Sequence, residues 1–503
     1  MASNKFTNKN ILKLLEKYQY IWAIDHLQKL ASWDSEVYMP VNGANYRGEA
    51  LGNIAKLTKS LITDKEYLSL IEKIKSVKLN KYEAALLRVV LREVKIYKSL
   101  PTDFIYEFEK TASIAQLAWR KARQKSDFNL FKPHLSKIVQ LSIDKSKYLS
   151  YENHPYDALL DLYEEGNSVN RLDPYFDDVI STASELMIKI KSSKNYNSDN
   201  PIEKIKYKEK EAEILNDRIL EKLNINRNKL RLDKSSHPFS EGLSTDDARI
   251  TSRYEGFDIS RTVTSTIHEF GHAIYFLQHD EDFNKTPLYT NYSLALHESQ
   301  SRFFENHIGR SESFLSILID DLHNLGQEYK NFSASDFYKY FNFVKPTLIR
   351  VEADEVTYHF HIFIRYEIEK KLISQELKID DIPDVWDDMY KKYLNITPEN
   401  DAVGCLQDIH WSMGAIGYFP TYSQGTIFAA QVAKSIDENT KGIEYLINSK
   451  AGMAEIQSWL KDKIHKHGAM YTIDQIADDI IGESFNTKAW KKYIFEKYGK
   501  LYK

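Results

Sequence analysis

Only 18 glycines and 12 prolines are spread over 503 residues, so long stretches of this chain carry nothing to interrupt a helix. Apolar residues recur at three- and four-residue spacing across 10–33, from Ile11, Leu14 and Tyr18 to Leu27 and Leu30. The stretches 47–75, 80–99, 102–124, 170–192 and 202–222 read the same way, as helices packed on helices. Strand signals are sparse. Residues 247–254 alternate, 229–233 offer a partner, and 236–242 read as the loop between them. The expectation is a mainly α protein with one small sheet. No repeat and no low-complexity linker divides it, and the polar run 191–201 is a loop of modest length. This predicts one unit over 1–503, with a groove between an N-terminal helical wall (about 1–200) and a catalytic part (about 201–503).

Directly after the predicted sheet stands His268-Glu269-Phe270-Gly271-His272, inside an apolar, helix-prone stretch. Two histidines four apart lie about 40° apart around a helix axis, so both imidazoles reach one ion. The intervening glutamate falls beside that ion, placed to take a proton from an attacking water. A pattern fixing three positions arises by chance in roughly a few per cent of chains of this kind, so the rest of the site has to be found. Zinc in a hydrolytic centre needs a third protein ligand. Glu298 is a candidate, far enough after His272 for a helix, a turn and a second helix to return, with Arg302 one turn on to orient it.

Composition narrows the alternatives. A net charge of −4 shows no basic excess for nucleic acid, and no apolar run is long enough to span a bilayer. The polar start 1–9 has no signal-peptide core. The single Cys405 excludes an intrachain disulfide and a cysteine-rich zinc module, so any zinc must use histidine and carboxylate. A soluble, cytoplasmic protein is expected.

Further patterns follow in order along the chain. They are Trp33-Asp34 with Met39-Pro40, the run from Pro155 to Asp161, His237-Pro238-Phe239, Asp247-x-Arg249-x-Thr251, and His297-Glu298-Ser299-Gln300. Ile349-Arg350-x-x-Ala353-Asp354 and Gly404-x-x-Gln407-Asp408-x-His410-Trp411 complete them. Together, and nearly end to end, they resemble the carboxypeptidase Taq (thermostable carboxypeptidase 1) family of metallocarboxypeptidases. The resemblance implies a helical fold like those of neurolysin and angiotensin-converting enzyme, with a long deep groove, and a homodimer. It implies one zinc ion per chain on His268, His272 and Glu298, with cobalt able to substitute, and Glu269 as general base. His410 and Tyr422 are the expected oxyanion donors, with Tyr418 the alternate tyrosine. Peptides with a free C-terminal carboxylate are the expected substrates, of broad specificity. Their carboxylate calls for a fixed arginine: Arg350 first, or Arg249, which shares a strand face with Thr251 and Arg253. His237 is expected to cap the substrate site, and Asp408 to orient His410 or nearby backbone. His359 and His361, two apart on a helix, are read as packed or surface histidines. Phe270 stands where the family usually has a small residue, and Phe276 where it often has glutamate. An endopeptidase or oligopeptidase on the same scaffold, or a non-catalytic helical binding protein, remains the alternative.

Overall fold

The computed structural model describes residues 5–197, 199–235 and 237–503. Met1–Asn4, Ser198 and Ser236, read above as part of the polar start and of two loops, lie outside the described residues. The N-terminal half is helical: α1 (Lys9–Val37), α2 (Ala44–Ile62), α3 (Lys65–Lys75), α4 (Lys81–Ser99), α5 (Thr102–Lys125), α6 (Phe128–Leu149), α7 (Asp157–Tyr163), α8 (Val169–Ser192) and α9 (Glu209–Lys222). The single stripe expected over 47–75 is two helices. Asp64 breaks it by accepting the backbone N–H groups of Glu66 and Tyr67, which starts α3 afresh. The stripe over 202–222 likewise splits, into a 3₁₀ turn at Pro201–Lys204 and α9.

The sheet has three strands, β1 (Leu230–Lys234), β2 (Ser240–Ser244) and β3 (Asp247–Ser252), in the order β1-β3-β2. β1 and β3 are the strands read from the sequence, and they pair in parallel with Leu232 opposite Ile250. β2 corrects the expectation of a loop over 236–242. Its serines and glycine carry little strand propensity, and it is held by antiparallel pairing to β3, with Glu241 opposite Arg249.

The sheet packs on α10 (Ile259–Leu277), which is apolar nearly all round and buried on nearly every side. Ala248 and Ile250 of β3 share one apolar core with Val263, Ile267 and Phe270 of α10. A second core extends from Ala112 in α5 to Tyr498 near the C-terminus, so the two halves are joined by continuous packing. α11 (Pro287–Thr290) and α12 (Leu294–Arg302) follow. α12 packs against both α10 and the helix Pro420–Asn439. Two glycines permit these close approaches. A Cβ on Gly271 would sit 2.5 Å from the Gln300 carbonyl oxygen, and one on Gly425 would sit 2.7 Å from Glu298 Cβ.

Candidate metal centre and carboxylate pocket

α10 brings His268 and His272 to one face with ring centroids 4.9 Å apart, and α12 returns Glu298 to them. Glu298 Oε2 lies 3.6 Å from His268 Nε2 and 3.3 Å from His272 Nε2, and the three ligand atoms lie within 4.8 Å of one another. Ligands about 2.0–2.1 Å from one tetrahedral ion are separated by roughly 3.3–3.5 Å, so the triad fits a single zinc-sized cation. Its donor set of two imidazoles and a carboxylate is also that of hydrolytic zinc sites.

The surrounding side chains fix each ligand. Arg302 Nε donates to Glu298 Oε1 at 2.8 Å, as its i+4 spacing predicted, and the Ser301 hydroxyl donates to Oε2 at 3.0 Å. Glu305, absent from the sequence reading, meets His268 Nδ1 at 2.9 Å and is held by Arg302 (3.1 Å) and Arg310 (2.9 Å). With Nδ1 engaged by a carboxylate, His268 turns the lone pair of Nε2 toward the centre. Burial alone would raise the Glu298 pKa. His268, Arg302 and His272 outweigh it and bring it down to about 2, so Glu298 stays ionised.

Glu269 is buried beside the triad, and its Oε2 accepts no hydrogen bond among the described residues. Burial raises its pKa against the pull of His268 and His272, which suits a group that must accept a proton. The Ser240 hydroxyl of β2 lies against Glu269 and partly offsets that rise. Phe270 points away from the ligands and packs edge-on against Phe304, with centroids 4.9 Å apart. A bulky residue is therefore accommodated behind the metal helix.

His410 and Tyr422 meet directly, with His410 Nε2 2.9 Å from the Tyr422 hydroxyl. Burial, reinforced by Arg350, lowers the His410 pKa to about 3, so its ring is neutral at physiological pH. Tyr418 packs against Tyr422 with centroids 5.2 Å apart. Glu298 is the strongest charge acting on the Tyr418 phenol, which puts that tyrosine beside the metal ligands.

Arg350 is buried under the rings of Tyr422 and Phe419, 5.0 and 5.7 Å from their centroids. Its Nε donates to Asp408 at 2.9 Å, and Gln407 accepts its backbone N–H at 2.8 Å. Asp408 does not hydrogen-bond His410. It bridges Arg350 and the fully buried Arg365, the latter at 2.6 Å, and these arginines hold its pKa far below the usual range despite burial. A cavity of about 60 Å³ opens beside Asp408, lined by Arg123, His237, Arg253, Glu352, Gln407 and Asp408 among others. Burial, with Arg350 and Arg253, lowers the His237 pKa to about 4. Arg249 is engaged elsewhere, forked onto Asp247 at 3.0–3.1 Å and lying over the Trp33 ring. His359 and His361 are packed in the core, bonded to Ser423 (2.8 Å) and Tyr390 (2.9 Å).

A helical scaffold with two histidines and a glutamate from neighbouring helices around a buried glutamate defines a metallopeptidase. The family model described as carboxypeptidase Taq (M32) metallopeptidase matches residues 13–498. The chain is 41% identical to thermostable carboxypeptidase 1 of Pyrococcus furiosus over 495 residues, 98% of this chain and 99% of that one. It is 36% identical to carboxypeptidase 1 of Bacillus subtilis, covering 98% and 97%. A solved structure of the Pyrococcus furiosus carboxypeptidase superposes with a TM-score of 0.94 over 98% of this chain and all of that one. The chain belongs to the carboxypeptidase Taq (M32) family and is a metal-dependent carboxypeptidase.

Proposed function

We propose that the protein removes C-terminal residues from peptides, with broad specificity, using one zinc ion held by His268, His272 and Glu298, for which cobalt substitutes. When bound, the ion supplies Lewis acidity to the attacking water and the scissile carbonyl. Glu269 takes the proton of that water and passes it to the departing amine, a role its buried position and raised pKa support. Tyr422 and the neutral His410 donate to the oxygen on which negative charge develops, with Tyr418 beside them. Arg350 binds the free carboxylate of the substrate, and His237 closes that end of the groove.

The observation that carries exopeptidase action is Arg350. A guanidinium buried beside the proposed oxyanion donors is held through Nε by Asp408 and through Nη1 by the Tyr358 hydroxyl at 3.4 Å, which leaves Nη2 to meet a substrate carboxylate. The Glu269→Gln variant tests the chemistry: metal content should remain stoichiometric while hydrolysis falls about 10²–10⁴-fold. Full activity in that variant would remove Glu269 from the mechanism. A homodimer in a reducing, cytoplasmic compartment completes the reading, supported by the family resemblance and the single buried thiol of Cys405.

A further inference from the structure

Strand β2 runs along α10, the helix that carries His268, Glu269 and His272. His237, just before it, lines the small cavity with Gln407 and Asp408, the two partners of Arg350, and so marks the end assigned above to the substrate carboxylate. Ser240 reaches Glu269, at the level of the chemistry. Glu241 and Gly242 come next, so they flank the residues on the amino side of the bond, about 3.3 Å further per residue. Side chains alternate along a strand, and Gly242 faces α10, where an added Cβ would meet the Phe276 ring at 2.3–2.6 Å. Glu241 therefore points the other way, toward α1.

On that face Glu241 accepts no hydrogen bond and forms no ion pair among the described residues, although its side chain is partly open to solvent. Its cross-strand neighbour Arg249 turns to Asp247 instead. Lys29 of α1 is spent on Asp25 at 3.3 Å and on the Gly242 carbonyl at 3.4 Å. Glu241 is the strongest charge acting on the phenols of Tyr289 and Tyr292, and the buried Tyr289 hydroxyl has no hydrogen-bond partner among the described residues. Burial pushes the Glu241 pKa up to about 7, as expected of a carboxylate with no cation in contact. Lys29 already lies 5.9 Å over the Tyr289 ring, so these aromatic faces accept an ammonium.

We propose that Glu241 is a specificity-determining residue that recognises a lysine or arginine side chain on the residue immediately to the amino side of the cleaved bond. This rests on the carboxypeptidase reading above. It adds a selection that the carboxylate anchor cannot make, because Arg350 sees only the departing residue.

The test compares amino-blocked lysyl-leucine with amino-blocked norleucyl-leucine at pH 8, where Glu241 is ionised. Wild-type enzyme should show kcat/KM roughly tenfold higher for the lysyl substrate, the scale of a charge-assisted hydrogen bond. Glu241→Gln should bring the ratio close to one, and Glu241→Lys should favour glutamyl-leucine over norleucyl-leucine. A wild-type ratio near one, or a preference that survives in Glu241→Gln, overturns the proposal. If wild-type enzyme released leucine from none of these substrates, the carboxypeptidase reading itself would fail, and this inference with it.

Discussion

Glu305 Oε2 stands 2.9 Å from His268 Nδ1, and the same carboxylate is gripped by Arg302 and Arg310. Arg302 also holds Glu298, so one arginine ties the third metal ligand to the group that orients the first. The centre is thus braced as a unit by its own side chains.

Replacing Glu305 by glutamine should weaken metal affinity about 10–100-fold, the usual effect of losing such an outer partner. Competition with a chromogenic chelator measures this independently of turnover. Unchanged affinity would mean that His268 needs no orienting carboxylate.

Arg350→Ala should raise KM sharply for peptides ending in a free carboxylate, costing about 2–5 kcal/mol in binding, while amidated analogues stay uncleaved as with wild type. Asp408→Ala leaves two buried arginines without their shared anion, and should lower unfolding free energy by about 3–5 kcal/mol. Substrate titration reads the first effect and a denaturant midpoint the second.

Gly271→Ala places a Cβ against the backbone of Gln300 and Ser301, 2.5 Å away, where no flexible side chain gives way. α12 must then retreat from α10, taking Glu298 with it. The expected result is a loss of about 1–3 kcal/mol together with weaker metal binding, read by calorimetry with and without zinc.

His279 is buried with neither ring nitrogen bonded among the described residues, and burial lowers its pKa to about 3. The unfolded chain, with an ordinary histidine near 6.5, binds the extra proton between these values. Its contribution to stability is therefore complete above about pH 6.5 and is lost as pH falls toward 3. In His279→Phe the fall in stability between pH 7 and pH 5 should be smaller by about 2 kcal/mol. Parallel pH profiles of wild type and variant would contradict this assignment.

The metal triad was legible because its geometry is local: an i, i+4 histidine pair on an unbroken apolar helix, and a glutamate one helical return away. Glu305 was missed although Glu298, Arg302 and Glu305 stand at i, i+4 and i+7, the spacing of one helix face. That signal was present, but it ends in a π-helical turn, Phe303–Gly309, which no side-chain pattern announced. Asp408 misled because nearness in sequence suggested His410, whereas its partners Arg350 and Arg365 are more than forty residues away. β2 was invisible for a related reason, since its conformation comes from β3 rather than from its own serines and glycine.

The most direct test follows a peptide and its C-terminal amide through digestion by mass spectrometry, with the enzyme as purified, after chelation, and after zinc is restored. The free acid should shorten one residue at a time from its carboxyl end, stop with chelator and resume with zinc, while the amide stays intact. Internal cleavage, equal attack on the amide, or hydrolysis indifferent to chelator would contradict a metal centre at His268, His272 and Glu298 working with a carboxylate anchor at Arg350.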